Sequence, residues 1–250
     1  MALLEAIAIF AAGIGAGAIN AVVGSGTLIT FPVLIALGYP PLIANVSNNI
    51  GLVPGALAGA YGYRRELEGQ RGRAISLGLF SFIGGVIGAT LLLVLPSSAF
   101  DAIVPVLIAL ALVLVVVQPR LSERLAHRRH PDGRHGAATR AAIGTSGVYG
   151  GYFGAGQGIL LMGILGIAID DSMQRLNGLK NVLAGLVNLT AGLIFVFAAD
   201  VDWGVAALIA VGSVLGATVG ARYGRRLSPT VLRVLIVIVG LTAIVRLLVD

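Results

Sequence analysis

The sequence predicts an all-α polytopic membrane protein built from two homologous halves, with about 8–10 transmembrane or half-membrane helices. Three observations carry that prediction. The chain is 57% hydrophobic and only 11% charged, whereas soluble domains carry about a quarter charged residues. Its apolar stretches are long and lack the alternation of a membrane barrel; lipid leaves backbone groups to pair within the segment, which selects helices. The chain also repeats itself. Gly24-Ser25-Gly26-Thr27 matches Gly154-Ala155-Gly156-Gln157-Gly158 at an offset of 130, and Asn45/Asn49 match Asn177/Asn181 at 132. A third pair, Gly84–Thr90 and Gly212–Thr218, matches at 128.

The first half holds apolar stretches at 2–23, 27–38, 45–63, 74–95 and 102–118. The second holds them at 142–153, 157–169, 175–199, 203–221 and 231–249. A full crossing takes about 20 residues, so 27–38, 142–153 and 157–169 are too short. Each glycine knot is therefore expected to join partial helices inside the membrane. Residues 1–118 form the first repeat, 119–140 a basic cytoplasmic linker, and 141–250 the second repeat. The first five residues lack the basic region of a secretory signal, so the first stretch is expected to be a retained span. Without cysteine there is no disulfide, thiol nucleophile or thiolate metal site.

Charge sets the expected direction of each half. The 64–73 loop carries Arg64, Arg65, Arg71 and Arg73, and the linker carries Arg120, Arg124, Arg128, Arg129, Arg134 and Arg140. Both read as cytoplasmic by the positive-inside rule, which also accounts for the net charge of +6 without a nucleic-acid partner. In the second half, the loop matching 64–73 is Asp200-Val201-Asp202, and the basic loop is instead the one with Arg222, Arg225 and Arg226. The bias has swapped between copies, as it does in an inverted repeat. His127, His130 and His135 lie in the linker and read as solvated side chains; membrane lipid is a partner for its arginines.

Two sets of residues are candidates for binding. The knot residues Gly24, Ser25, Gly26, Thr27, Gly154, Gly156, Gln157 and Gly158 permit close backbone approach. Helix N-termini starting there offer unpaired N–H groups to an anion. The second set is Asn45, Ser47, Asn48 and Asn49 with Asn177, Lys180 and Asn181. Asparagines at i and i+4 share a helix face, and an amide or ammonium in lipid has to meet protein, water or ligand. Lys180 is the single lysine in the chain. The glycines of 51–59, 84–88 and 212–220 read as helix-packing residues. No acidic residue or histidine falls deep in an apolar stretch, which argues against a carboxylate proton relay or metal site. Amides, hydroxyls, helix N-termini and one ammonium suit a small anion; no cofactor is expected.

Gly24-Ser25-Gly26-Thr27 with Pro32, then Gly38, Ala44 and Asn45–Asn49, resembles the sulfite exporter TauE/SafE family. Gly154–Gly158 through Asn177–Asn181 resembles that family's second repeat. The copies differ where Met162 stands against Pro32, and Leu179-Lys180 against Ser47-Asn48. The resemblance implies a multi-pass plasma-membrane transporter, such as one of a bacterial inner membrane, carrying sulfite, sulfoacetate or related organosulfonates. Two halves with interrupted segments at matching places independently predict a secondary transporter with alternating access at the repeat interface, with protons as a candidate coupling ion. A passive anion channel is the alternative. A serine hydrolase at Ser25 is a weaker one, because a serine needs a nearby base; an enzyme is not expected.

Overall fold

The computed structural model describes residues 1–126, 136–223 and 229–249. Ten helices order the described residues: α1 (Leu3–Val22), α2 (Thr27–Ala36), α3 (Pro41–Gly62), α4 (Arg71–Val94), α5 (Ser97–Ala126), α6 (Ala137–Tyr152), α7 (Gln157–Ala168), α8 (Met173–Ala198), α9 (Trp203–Tyr223) and α10 (Pro229–Val249). Helices α1, α4, α8 and α9, and α5 as far as Arg120, are long and apolar enough to cross a membrane. The chain is a multi-pass helical membrane protein. Helices α2 and α7 have only 10 and 12 residues, the two short elements expected after the knots. Helix α5 runs past the predicted apolar edge at 118 to Ala126, since a helix needs no apolar residues once it leaves lipid. The three histidines, Arg128, Arg129, Arg134, Arg225 and Arg226 lie outside the described residues.

Helix packing follows glycine. Helix α1 lies along α9, where a side chain at Gly13 or Gly17 would run into the backbone of Ile209 or Ser213. In return Gly212, Gly216 and Gly220 face the backbone of Phe10, Ile14 and Ala18. Helix α6 lies along α4 in the same manner, Gly84 and Gly88 against Gly144 and Val148, Gly147 and Gly151 against Ser81 and Gly85. Lipid offers no hydrophobic drive between helices, so close backbone approach is what holds them. Each half thus lends the helix before its break to the fourth helix of the other half.

The helix ends gather by charge. At one end the Tyr39 hydroxyl donates to Glu5 at 2.7 Å, and the Asp202 N–H donates to Ser47 Oγ at 2.9 Å. At the other, Arg73 and Arg175 each meet Asp171 at 2.9 Å, and Gln70 donates to the Arg175 carbonyl at 3.0 Å. Arg64, Arg65 and Arg222 line one cavity there, so the basic residues after α3 and the arginine in the last turn of α9 share an end. Partial burial pushes the Asp171 carboxyl up, but hydrogen bonds from Ser172 N–H, Arg175 and Arg73 hold it below the usual carboxylate range.

Candidate functional site

The two glycine knots meet. The chain turns at Gly24 (φ 85°), Gly154 (φ 80°) and Gly156 (φ 76°), backbone conformations that a side chain disfavours. Gly158 N–H donates to the Gly24 carbonyl at 3.0 Å. A Cβ built on either glycine would overlap the other's Cα. Two helices, one from each half, therefore break and touch at one point, and α2 and α7 start beside it.

Breaking a helix strands its last carbonyls. At the end of α1, the N–H groups of Val23 and Gly24 both turn to Ile19, leaving the Asn20 and Ala21 carbonyls to other donors. Helix α8 supplies them. Asn177 Nδ2 and Asn181 Nδ2 each donate to Ala21 O at 3.1 Å, and Lys180 Nζ donates to Asn20 O at 3.1 Å and Ala21 O at 3.4 Å. An ammonium at a helix C-terminus also meets the negative end of the dipole. Lys180 is fully buried at 0% exposure, and among the described residues it makes no ion pair with a carboxylate.

Helix α3 repeats part of this. Asn45 Nδ2 donates to the Tyr152 carbonyl at the end of α6, at 3.0 Å, as Asn177 does at the end of α1. Asn48 turns instead to its own half: the Thr30 hydroxyl donates to Asn48 Oδ1, and Asn48 Nδ2 donates to Thr27 Oγ1 at 3.4 Å. Ser47 is held by Asp202. Gln157 lies across Gly150 and donates to the Ser146 carbonyl at 3.2 Å. Six buried polar atoms of this neighbourhood have no hydrogen-bond partner among the described residues: Ser25 Oγ, Asn45 Oδ1, Asn49 Oδ1, Ser146 Oγ, Tyr152 Oη and Asn177 Oδ1.

Of the candidates read from sequence, all but the half-buried Gly154 are buried. The structure brings Gly24 against Gly158, gathers Asn177, Lys180 and Asn181 on one carbonyl pair, and ties Thr27 to Asn48. Ser47 is drawn to the α9 start and Gln157 to α6. Sequence reading missed Thr30 and the Asn20, Ala21 and Tyr152 carbonyls. Thr30, one turn beyond Thr27, was within reach of a spacing argument; a backbone carbonyl leaves no mark on the sequence.

Residues 9–247 match the family model described as Sulfite exporter TauE/SafE. A Sinorhizobium protein named probable membrane transporter protein ORF9 is 28% identical over 97% of this chain and 92% of its own. A probable membrane transporter protein of Haemophilus influenzae is 25% identical over 97% and 94%. Probable membrane transporter protein YfcA of Escherichia coli K12 is 26% identical over 94% and 86%. No solved structure matches.

Proposed function

Because the chain belongs to the sulfite exporter TauE/SafE family, we propose that it is a secondary carrier of small anions, sulfur-containing ones such as sulfite, sulfoacetate and organosulfonates foremost. Membership and the relatives' names make it a membrane transporter; the anion and the mechanism are our reading. The observation that carries it is the contact of the two broken helices at Gly24 and Gly158. Around that contact stand the dipole ends of α2 and α7, whose N–H groups at Leu28, Ile29, Gln157, Gly158 and Ile159 are already bonded to backbone carbonyls and not open as expected from sequence, and the buried Lys180. Helix N-termini and an ammonium attract negative charge.

The halves read as an inverted repeat. The α1 N-terminus lies at the Glu5–Tyr39 end. The matching α6 begins at the opposite end, where Arg140 lies over Phe80 and lines a cavity with Arg71. The arginine-rich end is cytoplasmic by the positive-inside rule, in a bacterial inner membrane. Alternating access then rocks the halves about the crossing. Among the described residues Ser25 Oγ has no hydrogen-bond partner, so no base stands at hydrogen-bond distance from it there.

Radiolabelled sulfite flux into proteoliposomes, with and without an imposed proton gradient and competed by sulfonates and carboxylates, tests this. Saturable, competed flux with counterflow is expected. Flux that neither saturates nor exchanges would make the protein a channel, and no flux under either gradient would withdraw sulfite.

A further inference from the structure

We propose that the outer face of α4 holds an anionic glycerophospholipid, with its phosphate at Arg71 and Arg140 and its acyl chains along α4 and α8. The two arginines line one cavity of about 920 Å³ with Ile75, Gly78, Leu79 and Phe82 of α4 and Val182 and Leu186 of α8. Ile75 and Leu79 are 63% and 57% exposed, so this face meets lipid tails. Gly78 deepens the groove: a Cβ there would stand 3.3 Å from Leu186 Cδ2.

Charge selects the occupant. Arg73 and Arg175 are bound to Asp171. Arg71 and Arg140, at the same end of the molecule, make no ion pair among the described residues; the Arg140 guanidinium lies 5.9 Å from the centre of the Phe80 ring. Arg71 opens α4, where the helix N-terminus adds its own attraction for phosphate. Two guanidiniums without carboxylates above an apolar groove complement a lipid that is anionic at the head and apolar below. A zwitterionic lipid would bring a cation to the same place. The groove joins α4 of the first half to α8 of the second, so its lipid touches both halves. The inference stands whichever anion the carrier moves.

The full chain, purified in mild detergent, is titrated with phosphatidylglycerol or with phosphatidylcholine of matched acyl chains, and retained lipid is read by native mass spectrometry. Phosphatidylglycerol is expected to be retained in preference. Arg71→Gln and Arg140→Gln should each weaken its retention about fivefold. Arg120→Gln, an exposed arginine on α5 outside the groove, should leave it unchanged. The double Arg→Lys variant, which keeps the charge, should retain most of the lipid and guards against loss of fold. Equal retention of the two lipids, or retention unmoved by the double Arg→Gln variant, would overturn the proposal.

Discussion

The polar cluster of α8 and that of α3 occupy matching places in the two halves, yet they hold different things. Asn177, Lys180 and Asn181 all turn outward from their own half to the stranded carbonyls of α1. Of the α3 set only Asn45 makes the equivalent reach, to Tyr152. Asn48, which stands where the second half has Lys180, stays within its own half on Thr27 and Thr30. The exchange of Asn48 for Lys180 is one of the side-chain differences that break the symmetry of the site. It places a buried lysine on one side of the helix crossing and an amide on the other. A symmetric backbone, then, gives no assurance of a symmetric electrostatic field, and the lysine side is where an anion should be most sensitive to substitution.

The largest effect should fall on what the halves share. Gly24→Ala and Gly158→Ala each force a Cβ into the opposite glycine, at a cost of roughly 1–3 kcal/mol from overpacking. Both should abolish flux in proteoliposomes while the protein still inserts in the membrane. A variant of one half that transports normally would break the shared crossing.

Next is the charge. Lys180→Gln should lower flux about 10–100-fold, the worth of a charge-assisted hydrogen bond of ~1.5–3 kcal/mol. Arg175→Gln, at the edge on Asp171, should matter much less. Asn48→Leu should cost about fivefold, in line with the ~1 kcal/mol of an interhelical hydrogen bond in lipid. An Asn48 variant as impaired as the Lys180 variant would erase the asymmetry.

A finer contrast separates binding from scaffolding. Asn181→Leu removes a donor from Ala21, whereas the Asn49 side-chain oxygen has no partner among the described residues to lose. Both leucine variants should lose transport. Only the one at 181 should also lower the thermal midpoint, by the equivalent of about 1 kcal/mol. Unimpaired flux in both would remove these asparagines from the anion's path.

The smallest effect is outside the membrane. The Asp171 carboxyl is held below its ordinary value, so its ion pairs stabilise the fold above the unfolded carboxylate value and are lost as pH falls through the lower folded one. The gap in thermal midpoint between wild type and Asp171→Asn should narrow as pH drops from about 5 to about 3. A gap independent of pH would mean that Asp171 acts through packing alone.

The spans were legible because lipid imposes one requirement on every residue of a segment, and the expected edges of α1, α4, α8 and α9 fall within three residues of those found. The halves were legible because Gly24, Gly154 and the asparagines recur. Most of the intra-site pairing was not. Gly24 touches Gly158 through backbone alone, and nothing at either glycine names its partner. Lys180 was visible as an odd charge, but its carbonyl partners became available only through the direction in which the chain leaves α1. The end of α5 was hidden for the opposite reason: an apolar run marks where lipid stops, and a helix is free to continue.

The exchange of helices between halves has a consequence for synthesis. Helix α1 lies along α9, about 200 residues later in the chain. At roughly 5–20 residues per second, the ribosome delivers α9 about 10–40 s after α1. During that interval Gly13 and Gly17 face lipid instead of the backbone they are shaped for. The first half is therefore born incomplete and takes its final packing only as α9 enters the bilayer.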